Sequence, residues 1–418
     1  MKNFIRLILF IAVSVNGAYS QTAFPKYDMR DHLTPGRLTI AMWDFSWMNC
    51  HYKGGPFEDF DKVLAEVKER GFNTVRIDCF PHITGALKNI DDEVTVKGDP
   101  LANWGQTDKD RKHKPVRELI EFMQAAKRAG IYVILSTWNG EVKEFPEMKK
   151  RLREDRNLFR SNWTNTLNLL AEHQLLDIVL YVDLDQEFPY FSPYENEINE
   201  LAAAPPAGAP ADPMELAGRA DQSLVSLAWN RRQLNYVKQL FEEMIPYFQS
   251  TFPGLRFTYS LTSFTKEVRA LGLQLFDVLE LHMWIHSPRF DNRSGFGSLQ
   301  KDRGDHDYSG YQQRIDDAME SMRPMLMHEM YKKIEFAMSW GEEISAPVVT
   351  TESWGPWWHM DHKDLRWEWL SEWCMECMEV SAKAGFWGAT PWNFSHPYWK
   401  NWSDIEWYRR INGIFRYK

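Results

Sequence analysis

Cysteine is scarce in this chain: Cys50, Cys79, Cys374 and Cys377 are the four among 418 residues. That is too few for a disulfide scaffold, and a chain of this length buries enough apolar surface to need none. Cys374 and Cys377 stand three apart on a predicted helix, where side chains share a face. Two sulfurs without a second Cys pair or a His pair are an incomplete zinc set, and packing in the core is the other reading. Basic charge is short as well. Lys and Arg number 49 against 58 Asp and Glu, for a formal net charge of -9 and a pI near 5.8. No basic cluster suits a nucleic acid or an anionic membrane surface. Beyond residue 20 there is no run of about 18 apolar residues, so no membrane span is expected. No GxGxxG or Walker-type loop follows an early predicted strand, which removes the usual nucleotide cradles. The first predicted strand is not followed by HxH, and the pair in HMDH (359–362) is a weak ligand set at the start of a helix. Neither a cofactor nor a metal is called for.

The first twenty residues, MKNFIRLILFIAVSVNGAYS, combine a basic start, an apolar run and small residues before Gln21. This is the pattern of a cleavable secretory signal, so a secreted or periplasmic location is expected. Residues 21–418 are then expected to form one domain.

What the chain has in quantity is tryptophan, 19 residues, within an aromatic content of 14%. Trp43, Trp47, Trp138, Trp284, Trp354, Trp357, Trp358, Trp392, Trp399 and Trp402 lie near predicted strand ends and loops. A flat ring with one polar edge packs on the C–H face of a sugar, although the same residue also fills protein cores.

Three stretches repeat one joint: KERGFNTVRIDCF (68–80), KRAGIYVILSTW (127–138) and AKAGFWGATPW (382–392). In each, basic residues close a helix, Gly takes the left-handed position, and a β-rich run starts at once. Amphipathic stripes precede the first two, with Phe57, Phe60, Val63, Leu64 and Val67 behind Pro56, and Val116, Leu119, Ile120 and Met123 before Gly130. Eight strands are expected near 38–44, 73–79, 131–137, 178–184, 255–260, 277–284, 346–352 and 385–391, each followed by helical sequence. Short strands apolar enough for burial on both faces predict a parallel sheet closed into a (β/α)8 barrel, with an open doubly wound sheet as the alternative. Long βα loops follow strands 2, 4 and 6, the third pair of a strand and its loop including SPRFDNRSGFG and the second the Ala/Pro tract AAAPPAGAPADP. In a barrel such loops build the active-site face.

In strand 4, DIVLYVDLDQE, the apolar set Ile178, Leu180, Val182 and Leu184 alternates with Tyr181, Asp183, Asp185 and Glu187. Period-two alternation puts the first set against helices and the acids toward the barrel axis, with Glu187 at the mouth. By the same parity Arg76 and Asp78 on strand 2, Glu280, His282 and Trp284 on strand 6, and Glu352 at the end of strand 7 point inward. Two carboxyl groups across a pocket can cleave a glycosidic bond, one as proton donor and the other as nucleophile or as base for a water. Asp185 is the alternative to Glu187 as the acid. Asp44 and Asp78 either bind hydroxyls or tie strands together.

With these residues the chain resembles the barrel glycoside hydrolases of clan A, and among them the cellulase-like glycoside hydrolase family 5. GFNTVRI (71–77) is similar to that family's strand 2, DQEFP (185–189) stands where it has Asn-Glu-Pro, HMW (282–284) where it has His-x-Tyr, and VVTTESWG (348–355) where the nucleophile lies. The resemblance implies Glu187 as acid/base, Glu352 as nucleophile, Arg76 holding the nucleophile, His282 as a polar neighbour and Trp392 as the sugar platform. Asp44, Trp138, Asn139, Gln186, Trp284 and Trp354 complete the expected substrate-binding set. Three departures bear on the sugar: Gln186 for Asn, STWN (136–139) for the strand 3 His, and Trp284 for Tyr. The expected activity is retaining hydrolysis of an oligo- or polysaccharide, and the alternative is a barrel that binds carbohydrate without cleaving it.

Overall fold

A computed structural model describes residues 36–99, 103–202, 227–299 and 307–417. The expected signal sequence (residues 1–20) and the Ala/Pro tract lie outside them. Eight parallel strands carry the architecture: β1 Leu38–Asp44, β2 Thr74–Asp78, β3 Tyr132–Ser136, β4 Val179–Asp183, β5 Phe257–Thr258, β6 Leu279–Glu280, β7 Val348–Thr350 and β8 Gly388–Ala389. Ladders run β5-β4-β3-β2-β1-β8-β7-β6. Past the strand ends a Leu261–Leu281 bridge joins the two outer members, with Leu261 N–H on Glu280 O (3.0 Å), His282 N–H on Leu261 O (2.8 Å) and Asp277 N–H on Phe257 O (3.0 Å). The sheet therefore closes on itself as the (β/α)8 barrel, and every strand falls where the sequence predicts it.

Helices α1 Phe60–Glu69, α2 Pro115–Ala129, α3 Arg156–Glu172, α4 Arg231–Thr251, α5 Thr265–Ala270, α6 Ser309–Ile344, α7 Glu368–Ala384 and α8 Ile405–Tyr417 follow the strands in turn. Their ends obey local chemistry. Asp59 caps α1 by accepting from Lys62 N–H, and Asn230 and Gln233 form a reciprocal capping box on α4. Gly130 (φ 69°) ends α2 and Gly385 (φ 101°) ends α7 in the left-handed conformation that lets the chain turn directly into a strand. The predicted stripe of α1, Phe60, Val63, Leu64 and Val67, is buried.

Two apolar layers result. The larger lies between strands and helices, and includes all four cysteines, each a buried free thiol. The smaller fills the barrel below the mouth with Leu38, Ile40, Ile134, Val278, Val349, Trp387, Tyr181 and Leu180. Leu180 is a correction: parity puts it against the helices, yet it packs with the interior set, in the strand pair where β3 and β4 slip register beside Val133 and Ile134. The long loop after β2 folds back as an antiparallel ribbon, Val94–Val96 against Arg111–His113.

Candidate active site

Arg76 on β2 is the centre of the polar mouth. It is fully buried, and a buried guanidinium must spend its donors. Nε and Nη2 make a fork on Asp44 at 2.9 and 3.0 Å. Nη1 lies 3.5 Å from Glu280 Oε1 and 3.2 Å from His282 Nε2, and donates to Thr351 Oγ1. Nη2 also donates to Glu352 Oε1. One cation thus ties together acids delivered by β1, β6 and β7.

Glu352 follows β7, held in place by Met283 N–H on its carbonyl at 2.8 Å. Its Oε1 accepts from Arg76 and from Gln186 Nε2. Glu187 arrives from β4. The chain leaves the ladder after Asp183, and Glu187 takes φ 51° with its N–H on Ser260 Oγ at 3.0 Å. That left-handed turn aims the carboxylate at His282, whose Nδ1 lies 2.8 Å from Glu187 Oε1 and 3.6 Å from Glu352 Oε2. One oxygen of Glu187, one oxygen of Glu352 and one nitrogen of His282 all lie within 4.8 Å of one another.

Burial and charge set the protonation of the group. Burial pushes Glu352 up to about 7, against the pull of His282 and Arg76. Burial works against the charged form of His282, yet Glu352, Glu187 and Glu280 lift it to about 10. The imidazole is therefore an imidazolium at neutral pH. Burial would raise Glu280 too, but His282, Arg76 and Thr351 hold it below its usual range, and its other oxygen accepts from Tyr181 OH at 2.6 Å.

Glu187, His282 and Glu352 could each offer one atom to a metal. Arg76 is already bonded to Glu352, so a cation there would stand beside a buried positive charge, and the group suits proton transfer better.

Of the other predicted residues, Asp44 is spent on Arg76. Asp78 accepts from Phe80 N–H (2.7 Å) and Trp138 N–H (2.9 Å), tying β2 to β3. Asn139 donates to Asp185 at 2.9 Å. Asp185 thus turns to Asn139 rather than toward Glu352, in a stretch past the end of β4 where no ladder fixes its side. Gln186 reaches Glu352 directly. Trp354, expected in the substrate-binding set, is instead fully buried in the outer layer with its indole N–H on Thr390 O at 2.9 Å. Trp392 is 4% exposed and packs on His359 and Phe394. Buried Gln186 Oε1, Glu352 Oε2 and Trp392 Nε1 have no protein hydrogen-bond partner among the described residues, the condition expected of groups that meet a polar ligand.

Two neighbours escaped sequence reasoning. Thr351 faces away from the axis by parity, but β7 ends at Thr350, and its hydroxyl bridges Arg76 and Glu280. Trp104, in the loop after β2, carries no local signal at all.

A cavity of about 490 Å³ adjoins His282 and Trp284, lined also by Thr262, Ser263, Lys266 and Lys333. A larger groove of about 880 Å³ runs along α1 and α2 past Glu58, Asp61 and Arg128. It touches none of the site residues above, and the smaller one reaches the site only through His282 and Trp284, without touching Glu187 or Glu352.

The sequence model of a sugar-binding cellulase-like family matches residues 40–416. No curated protein matches the chain. Among solved structures, a protein of Parabacteroides distasonis with a provisional name as a glycoside hydrolase is 24% identical, with 91% of this chain and 94% of that one covered and a TM-score of 0.74. The glycoside hydrolase family 5 mannosidase of Rhizomucor miehei is 11% identical over 91% and 94% of the two chains, at a TM-score of 0.47. For the endocellulase of Pyrococcus horikoshii the values are 15%, 91%, 93% and 0.44.

Proposed function

The chain belongs to the sugar-binding cellulase-like family, and on that premise we propose that it is an exported glycoside hydrolase that cleaves an oligo- or polysaccharide with retention of configuration. Glu187 as acid gives its proton to the glycosidic oxygen while the Glu352 carboxylate attacks the anomeric carbon, so the C–O bond breaks as the ester to Glu352 forms. Glu187, now a carboxylate, takes a proton from water, whose oxygen displaces Glu352 from the sugar. Both glutamates return to their starting states. Arg76 and Gln186 hold Glu352 Oε1 and leave Oε2 for the attack. His282 Nδ1 stands beside one oxygen of each glutamate, where it steadies Glu187 once its proton has gone.

The observation that carries this reading is the approach of Glu187 and Glu352 to within 4.8 Å. Retaining enzymes place their carboxyl groups about 5–5.5 Å apart, whereas inverting ones leave about 6.5–9.5 Å for a water. Export is read from the first twenty residues and is checked by N-terminal sequencing of the secreted form. Hydrolysis is checked with a panel of aryl glycosides and proton NMR of the first-formed anomer. Turnover with the starting configuration is expected, and Glu352→Gln should abolish it while the circular dichroism spectrum is unchanged. Calorimetric binding of an oligosaccharide with no product after long incubation would replace the hydrolase by a carbohydrate-binding barrel.

A further inference from the structure

The indole of Trp104 lies across the mouth of the barrel. Its ring centre is 6.3 Å from Trp138, 6.0 Å from Trp284 and 4.9 Å from Phe394. These three follow β3, β6 and β8. Strands so widely spaced around an eight-membered ring share one neighbour only if that neighbour lies over the axis. Trp138 stands beside Asp78, Trp284 is two residues beyond His282, and Phe394 packs on Trp392. The group over the axis is therefore in the same mouth as the two glutamates.

Its support is built rather than loose. Trp104 adopts φ 56° and ψ 28°, an uncommon state for a bulky residue that persists only where surroundings impose it. The constraint comes from the short helix Ser46–Asn49 after β1. Ser46 Oγ donates to Trp104 O at 3.2 Å, and the Cys50 thiol donates to Gly105 O at 2.9 Å. A Cβ on Gly105 would come within 2.4 Å of Ser46 Oγ and 2.7 Å of His396 Cε1, so only glycine lets the loop press this closely. Both anchors are buried.

We propose that Trp104 walls the mouth into a blind pocket, so that the enzyme acts on chain ends and short glycosides rather than inside a polymer. This rests on the glycosidase reading above. An internal cut needs sugars bound on both sides of the scissile bond along an open trough. An indole fixed between rims three strands apart blocks that trough on one side and offers a stacking face to a terminal sugar.

The test uses fluorescently labelled hexasaccharides of glucose, mannose and xylose with the full-length protein, and scores early products by size. Sugars removed one or two at a time from an end are expected. Trp104→Gly removes the ring while suiting the left-handed backbone, and should raise the ratio of internal to terminal cuts by about tenfold or more. Trp104→Phe, which keeps a ring in place, should preserve the terminal pattern. Mid-chain fragments from the wild type at the earliest times, or an unchanged ratio in Trp104→Gly, would overturn the proposal even where aryl glycosides are cleaved. Failure on every aryl glycoside and hexasaccharide would instead overturn the glycosidase reading, and the proposal with it.

Discussion

At the scale of single residues, Arg76 has more consequence than any other. It is a buried cation with three carboxylates about it, and removing one partner of such a set leaves charges stranded in a poor solvent. Arg76→Met should lower unfolding free energy by about 3–5 kcal/mol in a denaturant titration, far more than loss of an exposed arginine. The titrations of Glu352 and His282 bear on rate. A nucleophile works ionised, so with Glu352 near 7 the acidic limb of kcat/KM should have its midpoint close to that pH and activity should climb as pH rises through it. His282 pulls Glu352 down. His282→Gln should therefore move the acidic limb to higher pH, which a merely structural role would not do, and a pH profile of both proteins reads the difference.

At the scale of elements, the helix-to-strand joints were the most legible part of the chain, because each is local: basic residues, a glycine, then a β-rich run. Gly130 shows the physics. A Cβ there would touch nothing within 4 Å, yet φ is 69°, so Gly130→Ala should cost about 1 kcal/mol through backbone strain alone. Strand parity was legible only as far as the ladders run. It placed Arg76 and Glu280 on the ladders and His282 just past one, but beyond the last ladder residue it is no longer binding: Asp185 turns to Asn139 and Thr351 turns into the mouth. Asp185 gives a test of that misplacement. Burial raises it from 3.8 to about 7, against Ser192, Lys149 and Asn139. A carboxyl raised on folding stabilises the fold in its protonated form, fully below its ordinary value and progressively less as pH climbs to about 7. Thermal melts of Asp185→Asn should accordingly lose less stability between about pH 3 and about pH 8 than the wild type, with both endpoints chosen to bracket those two values.

At the scale of the molecule, the barrel and its acidic mouth could be read from alternation and motif because both repeat along the chain. Trp104 could not, since its partners lie far away in sequence and a lone tryptophan in a loop has no periodicity to give it away. The ring of strands is also thin where β5 meets β6. β5 and β6 are two residues each, and they are joined by the short set of bonds around Leu261 and Leu281. Amide exchange is governed by such local openings. Because the imidazole between the two glutamates hangs directly from this seam, His282 N–H being one of its bonds, a sugar gripped in the mouth would act as a stitch across it. Deuterium uptake at residues 257–283 should slow on ligand binding, while the long β1–β2 and β2–β3 ladders, already sealed, should show no change.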